Sequence, residues 1–330
     1  MTLSLTRRTL LAGSGAVLAT PAIVRSAFAA VSLTLGHGAA PGNPRTVAAE
    51  AFAKAVADKT AGRITVKIAG SEQLGNDSAM LTLLRTGALD LTANSQGATS
   101  AVLPELAALG LPFLFKDNVA ANKVMQGDIG AELEKRLDAV GIVPLDWWDN
   151  GIRHITNSKR AINVPDDLKG LKMRTPADPM TVDIFTALGA STAQIAFGEL
   201  YVALQQGVVD GQENPLANIS SAKLHEVNKF ITLSGHKWES TPFLMSKISV
   251  GKVGADLAVV KAAAKEAGVL QRQLMLESDV KLLEAYKANP AVAVNQADLA
   301  SFRKATEGVV ESWKKKPFGD FVGRIASAAA

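Results

Sequence analysis

The chain of 330 residues contains no cysteine. Disulfide bonds, thiolate metal sites, a cysteine nucleophile and a lipid-modified cysteine are therefore all excluded. Only four histidines are present, and His37, His154, His225 and His236 show no spacing typical of metal ligands. We expect no metal, no cofactor and a fold stabilised by its hydrophobic core alone.

The excess of basic over acidic residues is also small once the N-terminal segment is set aside. The net charge is +4, but three arginines lie in residues 1–29, and beyond them 32 basic residues face 31 acidic ones. Nucleic-acid-binding domains usually carry a basic patch or stripe. The one cluster of lysines, 314–316, is typical of a solvated helix end. We therefore expect no nucleic-acid partner.

Residues 1–29 predict an export signal. The paired arginines Arg7 and Arg8 precede an apolar run, and Ala27 and Ala29 are the small residues of a cleavage site. Glycines and a proline interrupt that run, whereas a membrane span needs about 20 apolar residues. We expect export by the twin-arginine route, with the general secretory route as the alternative, and a mature chain that begins near Ala30.

After residue 30, strand and helix patterns alternate. "VSLTLGHG", "RITVKIAG" and "ALDLTAN" read as strands, and "NPRTVAAEAFAKAVADKTAG" and "DSAMLTLLRTG" as helices, the latter with Asp77 as N-cap. Such alternation is typical of an α/β domain with a largely parallel sheet.

One pattern occurs twice. "LLRTGALDLTA" and "ALQQGVVDGQE" both run from a helix end through glycine and two apolar residues to aspartate, at Gly87 and Asp90 and at Gly207 and Asp210. With the chain length, this predicts two α/β lobes joined by crossing segments. We assign residues 30–151 plus about 240–280 to one lobe and 152–239 plus about 281–330 to the other. Helical spacing over 255–287 predicts one long bridging helix or two abutting ones.

Enzymatic motifs are absent from the sequence. "GHGAAPG" has the wrong spacing for a dinucleotide site, and Pro41 and Pro44 interrupt the helix that it would need. Asp166 and Asp167 lie in a turn, where helix capping explains them. We expect a protein that is not an enzyme.

Candidate ligand donors lie at strand ends. Arg174 ends the short strand of "GLKMRTP", and ligands of open α/β sheets bind beyond the carboxyl ends of strands. Arginine can bind a carboxylate with two parallel hydrogen bonds; a salt bridge to Asp178 or Glu213 is the structural alternative. The polar residues 210–214 follow two valines typical of a buried strand, and Asn214 offers an amide. We expect this run to line a cleft.

Other residues allow a binding or a structural interpretation. Arg153, in "DNGIRHITN", is a weaker candidate for the same acid. Phe197, Trp148 and Trp238 are either core residues or walls of the pocket.

The segments "GIRHITNSKRAINVPDDLKGLKMRTP", "ALGASTAQIAFGELYVALQQGVVDGQENPL" and "GSEQLGND" carry a resemblance. They are similar to the solute-binding subunits of tripartite ATP-independent periplasmic (TRAP) transporters, the DctP-type family, across nearly all of the mature chain. The resemblance implies a type II-like, two-lobed periplasmic binding protein with a hinge and a long bridging helix. It also implies an organic-acid ligand, a sugar acid or a C4-dicarboxylate, and small and large integral membrane subunits as partners.

The resemblance assigns roles to individual positions. The essential carboxylate-binding arginine falls on Arg174, a second arginine on Arg153, the ligand-contacting amide on Asn214 and an aromatic contact on Phe197. The resemblance places contacts from the first lobe near Gln73, Asp77, Ser95 and Gln96. The other ligand-binding candidates, which the resemblance does not assign, are Trp148, Trp238 and His37. The chain departs from the family at residues 192–194, where many members have proline, which affects the loop and not the arginine.

We expect a monomeric periplasmic protein that closes on its ligand about a hinge near residues 150–152 and 239–242. An exported enzyme acting on small carboxylates and a signalling or adhesion subunit are the alternatives.

Overall fold

The computed structural model describes residues 30–329. The predicted export signal, residues 1–29, lies outside the described residues. Within the described range, no helix combines the length and the apolar character needed to cross a bilayer.

A single mixed sheet forms the centre of the molecule. Its strands in the described residues are β1 (Val31–His37), β2 (Ile64–Ala69), β3 (Leu91–Ala93), β4 (Ile142–Asn157), β5 (Lys172–Thr175), β6 (Ser191–Gln194), β7 (Gly211–Asn214), β8 (Phe230–Ser246) and β9 (Ala293–Gln296). They are ordered β2-β1-β3-β8-β4-β7-β5-β6, and β9 pairs with β8. Five pairs of strands are parallel: β1–β2, β1–β3, β5–β6, β5–β7 and β8–β9. The pairs β4–β8, β4–β7 and β3–β8 are antiparallel.

Helices cover the sheet. The α-helices of the described range are α1 (Pro44–Lys59), α2 (Asp77–Thr86), α3 (Gln96–Thr99), α4 (Asn118–Met125), α5 (Asp128–Ala139), α6 (Pro179–Ala187), α7 (Phe197–Gln205), α8 (Leu216–Ser221), α9 (Val250–Val253), α10 (Leu257–Ala288), α11 (Leu299–Lys314) and α12 (Gly319–Ala329). Short 3-10 helices occupy Pro104–Gly110, Pro165–Leu168, Leu224–Glu226 and Gly254–Asp256.

Two helix starts differ from their predicted form. Pro44 does not interrupt α1 but opens it, behind the N-cap Asn43, because the first helical position needs no backbone donor. Asn76 caps α2 in place of Asp77, accepting from the backbone N–H of Ala79 at 2.9 Å. Asp77 is therefore the first helical residue, and its side chain is not used for capping.

Two lobes are built on this sheet. We call residues 31–99, with β1–β3 and α1–α3, the first lobe, and residues 172–221, with β5–β7 and α6–α8, the second lobe. A hydrophobic cluster that includes Leu33 and Phe243 supports the first, and one that includes Leu200 and Ile231 supports the second. The predicted assignment of the whole chain to lobes stays a prediction.

Strands β4 and β8 pass through both lobes. The end of β8 pairs with β3 of the first lobe, and the end of β4 pairs with β7 of the second. Between these regions the pairing of β4 with β8 shifts register at Asp149 and Gly151, and Gly151 has a φ of +112°. This irregularity coincides with the crossings predicted near residues 150–152 and 239–242.

The bridging helix is one continuous element, α10, of 32 residues. It packs against α1, β4 and α8. Gly268 allows the close approach, because a Cβ there would lie 1.7 Å from Asp146 Oδ2 of β4. Arg272 donates to that same oxygen at 2.8 Å and to the carbonyl of Trp147 at 2.7 Å. The helix is therefore fixed to β4 beside the crossing.

The polar run 210–214 does not follow a strand. Its residues Gln212, Glu213 and Asn214 are themselves the buried strand β7, while Val208 is 48% exposed. The prediction that both valines belong to a buried strand ahead of the polar run was therefore wrong, although Val209 is buried. Polar side chains can occupy an inner strand here because each has a partner, as in the bond from Gln212 Nε2 to Thr156 Oγ1 at 2.8 Å.

Candidate functional site

A cleft lies where the two lobes meet. Its inner part is a cavity of about 40 Å³, room for only a few water molecules. A second cavity of about 300 Å³ adjoins it on the outside. The two share Asp77, Ser95, Arg174, Pro176 and Phe197, and the inner cavity is completed by Gly38, Ala39, Arg45, Asn150, Arg153, Asn214, Asn218 and Glu239.

Arg174 is a buried cation whose guanidinium is only partly hydrogen-bonded within the described residues. It lies in β5, is 3% exposed, and donates from Nε to the carbonyl of Ile195 at 2.8 Å. In the described part of the chain its two terminal nitrogens have no hydrogen-bond partner. Its guanidinium lies over the ring of Phe197, 5.9 Å from the centroid. Burial lowers the pKa of Arg174 to about 10, so it remains charged at neutral pH and can bind a carboxylate.

Arg153 lines the same cavity but is already neutralised. Its Nη1 donates to Glu239 at 2.6 Å, its Nη2 donates to the carboxylate and carbonyl of Glu213 at 2.6 and 2.7 Å, and its Nε also donates to Glu213. Burial would lower the pKa of Arg153, but these two carboxylates raise it overall. His236 Nε2 lies 3.3 Å from Glu213 and extends the network. Arg153 therefore contributes a fixed wall rather than an unpaired charge.

Amide side chains connect the two lobes beneath the cavity. Asn214 Oδ1 of β7 accepts from Asn218 at 3.1 Å, and the same Asn218 amide donates to Asn150 of β4 at 3.1 Å. Asn43, which caps α1 in the first lobe, donates to Asn218 Oδ1 at 2.9 Å. Arg45 donates to Asn150 Oδ1 at 3.1 Å. These bonds fix the orientation of each amide in the cavity wall.

The first lobe contributes a hydrogen-bond acceptor, Asp77 Oδ1, that has no donor among the described residues. Asp77 lies at the start of α2, lines both cavities, and its buried Oδ1 has no hydrogen-bond partner in the described residues. Burial raises the pKa of Asp77, although Arg45 and Ser95 lower it. Ser95 caps α3, accepting from the backbone N–H of Ala98 at 3.3 Å. Buried polar atoms are rarely left unpaired, so a donor from a bound molecule is expected here.

Three candidates from the first lobe lie away from both cavities. Gln73 is an exposed residue of the loop after β2. Gln96 is fully buried, and its Oε1 accepts from the backbone N–H and hydroxyl of Ser240 at 3.0 and 2.9 Å. His37 is also buried, and its Nδ1 accepts from the backbone N–H of Ala39 at 3.2 Å. Burial lowers the pKa of His37 to about 4, which keeps the ring neutral.

Two aromatic candidates are core residues. Trp148 stacks on Phe243 with ring centroids 4.5 Å apart in the first-lobe cluster. Trp238 packs edge-on against Phe115 and donates from its indole nitrogen to Asp149 at 2.7 Å. Neither lines the cleft. Of the candidates, the cleft thus brings together Arg174, Arg153, Asn214, Phe197, Asp77 and Ser95.

Four polar or charged residues of the inner cavity were not predicted as site residues from the sequence. These are Arg45, Asn150, Asn218 and Glu239. Arg45 was detectable in principle, because it follows an Asn-Pro helix start just after the predicted strand "VSLTLGHG", where ligands of α/β sheets bind. The other three carried no comparable local signal.

The comparisons with known proteins can now be set beside this geometry. The sequence profile of the bacterial extracellular solute-binding proteins, family 7 (DctP), matches residues 35–316. The chain belongs to this family. An uncharacterised relative, y4mM of Sinorhizobium fredii (strain NBRC 101917 / NGR234), is 66% identical over 322 residues, or 97% of this chain. The chain spans 59% of that relative's length.

Solved structures agree with the DctP assignment. A TRAP periplasmic solute-binding protein from Polaromonas sp. JS666, bound to D-erythronate, is 34% identical with a TM-score of 0.87, covering 91% of this chain and 99% of its own. The sugar acid binding protein DctPAm from Advenella mimigardefordensis strain DPN7T, in complex with galactonate, is 32% identical with a TM-score of 0.88, covering 91% and 98%. The DctP fold class and two-lobed architecture expected from the sequence are thereby confirmed.

Proposed function

We propose that this DctP-family protein captures an organic acid in the periplasm and delivers it, as a monomer, to the membrane subunits of a TRAP transporter. The observation that carries the proposal is Arg174, a buried guanidinium whose two terminal nitrogens are unpaired within the described residues and which lies at the inner cavity. Two parallel hydrogen bonds from such a group match the geometry of a carboxylate.

The cavity favours a hydroxylated acid over a dicarboxylate. Arg153 is already paired with Glu213 and Glu239. A second ligand carboxylate would therefore meet no unpaired arginine at that position. In the first lobe it would meet Arg45 beside Asp77, whose carboxylate attracts Arg45 and repels a second anion. Hydroxyl groups, by contrast, can donate to the unpaired Asp77 Oδ1 and accept from side-chain amides. The ligands named for the two solved structures, erythronate and galactonate, are acids of this kind.

Binding is proposed to close the lobes. The cavity wall combines Asp77 and Ser95 of the first lobe with Arg174 and Asn214 of the second, so a ligand contacts all of them only when the lobes are together. The register shift of β4 at Asp149–Gly151 is the expected hinge.

A thermal-shift and calorimetry panel tests the ligand class. D-galactonate and D-erythronate should raise the melting temperature, because a ligand at a hundredfold excess over Kd stabilises the folded state by roughly 2.7 kcal/mol. Their primary amides should not, because a neutral group leaves Arg174 unpaired in a buried site. Equal shifts from acid and amide would contradict the assignment, and conversion of the acid to a product would favour the enzyme alternative.

Small-angle scattering tests the closure. The radius of gyration should fall when a saturating acid is added to the wild type, because the lobes come together. The same acid should leave Arg174→Ala unchanged. An identical curve with and without acid for the wild type would mean a preformed site and would contradict the hinge mechanism.

A further inference from the structure

Glu72 makes a contact between the lobes at the mouth of the cleft. It belongs to the first-lobe loop after β2, and its Oε2 accepts from the backbone N–H of Gly198 at 2.8 Å. Gly198 lies in the first turn of α7 in the second lobe. The hydrogen bond therefore joins residues 126 positions apart across the outer cavity, which Glu72 and Phe197 both line.

Helix α7 has no cap from its own lobe. Its N-cap residue is Ala196, which offers no side-chain acceptor. The N–H of Glu199 bonds to the carbonyl of Ala196, which leaves the N–H groups of Phe197 and Gly198 in need of an outside partner. A carboxylate is well suited to that position, because it also meets the positive end of the helix dipole. The second lobe thus lacks the group that Glu72 supplies from the first.

The chain is shaped on both sides for this contact. Ser71 and Glu72 adopt φ values of +53° and +59°, a region uncommon for residues other than glycine. Backbone bonds hold them there, from Ser71 N–H to the carbonyl of Ala39 at 3.1 Å and from Glu72 N–H to the carbonyl of His37 at 3.2 Å. On the other side, a Cβ on Gly198 would lie 2.9 Å from Glu72 Oε2. The approach requires glycine at that position unless the carboxylate moves.

The contact is linked to the anion site through one residue. Phe197, the first residue of α7, lies over the guanidinium of Arg174. A cap that fixes the first turn of α7 therefore also fixes the ring that covers the arginine.

We propose that Glu72 is a positioning residue that acts as a latch: its carboxylate caps α7 of the opposite lobe, holds the cleft closed and slows release of the bound acid. This inference rests on the proposed function for the identity of the ligand, but the contact between the lobes is independent of it. Loss of a helix cap corresponds to roughly a 2- to 30-fold change in an equilibrium constant.

Dissociation kinetics test the latch. With D-galactonate as probe, or the acid giving the largest thermal shift if galactonate gives none, Glu72→Ala should speed dissociation by roughly 2- to 30-fold and leave the association rate within about twofold. Glu72→Gln, which keeps an acceptor oxygen, should recover part of the loss. Glu50→Gln, an exposed glutamate on α1, is the matched control for charge and should behave as the wild type.

A double-mutant cycle separates the latch from a local structural effect. Gly198→Ala should also speed dissociation, because its Cβ displaces the carboxylate, but it should add nothing in the Glu72→Ala background. Additive effects, or an unchanged dissociation rate in Glu72→Ala, would overturn the proposal.

A measurement without ligand distinguishes failure of the latch from failure of the proposed function. The chain has no cysteine, so Thr82→Cys on α2 and Gln205→Cys on α7 give two unique, exposed sites for spin labels. The short-distance population of the ligand-free protein should shrink in Glu72→Ala. If no acid binds, the proposed function fails and this distribution decides the latch: a reduced short-distance population supports it, and an unchanged one overturns it.

Discussion

The two lobes are built alike at one point, where a helix ends and the chain turns into the next strand. In the first, α2 is followed directly by Gly87 with a φ of +76°, and in the second, α7 is followed two residues after its end by Gly207 with a φ of +71°. In both, the chain then turns into a strand that pairs in parallel with an earlier strand of its own lobe, β3 with β1 and β7 with β5. The left-handed residue is glycine in each because only glycine adopts it without strain.

The aspartates after these turns also have the same role. Asp90 Oδ2 accepts from the backbone N–H of Thr34, and Asp210 Oδ2 accepts from the backbone N–H of Lys172, each at 2.9 Å. Thr34 lies within β1 and Lys172 begins β5. In both copies of the sequence repeat, the aspartate therefore joins the turn before one strand to the backbone of the neighbouring strand.

The difference begins at the next residue. In the first lobe the strand continues with Leu91 and belongs to the hydrophobic core, whereas in the second it continues with Gln212, Glu213 and Asn214. The shared part builds the sheet, and the part that differs builds the anion-binding wall. A repeat can thus identify the architecture of both lobes while the buried polar strand lies in only one copy of it.

The largest expected effect comes from the charged wall of the second lobe. Arg174→Ala should weaken acid binding by roughly 30- to several-thousand-fold, because loss of one partner of a buried charged pair costs about 2–5 kcal/mol. Arg174→Lys should recover only part, since an ammonium cannot form the planar pair of bonds. Calorimetry measures the affinity, with Arg85→Ala on the exposed face of α2 as control. Binding within threefold of the wild type would contradict the assignment of Arg174.

A second effect concerns the crossing between the lobes. Burial raises the pKa of Asp149 to about 7, although Trp238 and Asn122 donate to its carboxylate. Between about pH 4 and pH 7 the folded protein therefore holds a proton that the unfolded chain has lost, so the free energy of unfolding falls as pH rises, by at most about 1.4 kcal/mol per pH unit.

Asp149→Asn should remove the contribution of Asp149 to the dependence of the free energy of unfolding on pH. Urea unfolding at pH 4, 5.5 and 7 measures it, with the exposed Asp58→Asn as the control. The variant should gain stability relative to the wild type as pH rises, and a slope equal to that of the wild type would show that Asp149 titrates normally.

The smallest expected effect is a difference in stability between variants of Asp90 and Asp210, the two aspartates of the repeat. Asp90 is 5% exposed and also accepts from Ser249 Oγ and Lys252 Nζ, each at 2.6 Å. Within residues 30–329 the carboxylate of Asp210 has in addition only a Lys159 contact at 3.4 Å. Asp90→Ala should therefore lower the free energy of unfolding by about 2–3 kcal/mol and Asp210→Ala by about 1 kcal/mol. Urea unfolding at neutral pH checks this, and equal losses would mean that the extra partners of Asp90 contribute nothing.

Local patterns in the sequence predicted most of the fold. The alternation of "RITVKIAG" and the helical spacing of 255–287 depend on neighbours a few residues apart, and both elements are present as β2 and α10. The placement of Arg174 near the cleft followed from its position at a strand end.

The rest depends on distant partners. Arg153 is neutralised by Glu213 and Glu239, which lie 60 and 86 residues away, and no local pattern reveals such a pairing. Trp148 and Trp238 were ambiguous for the same reason, because the sequence does not show whether an aromatic ring meets core residues or open space. Arg45 combined both problems: its position was suggestive, but its partners Asn150 and Thr241 are far along the chain.

The long strands β4 and β8 have a consequence for the order of folding. The first lobe is not closed by its own residues, because β3 pairs with the end of β8, as in Leu91 with Met245. The second lobe in turn depends on β4, as in the pairing of Asn214 with His154. The first lobe cannot complete its sheet before Met245 of β8 has been synthesised, and such a distant pairing is slow to form because a long loop must close first. The first lobe is therefore expected to finish folding only after the second lobe and β8 have been synthesised.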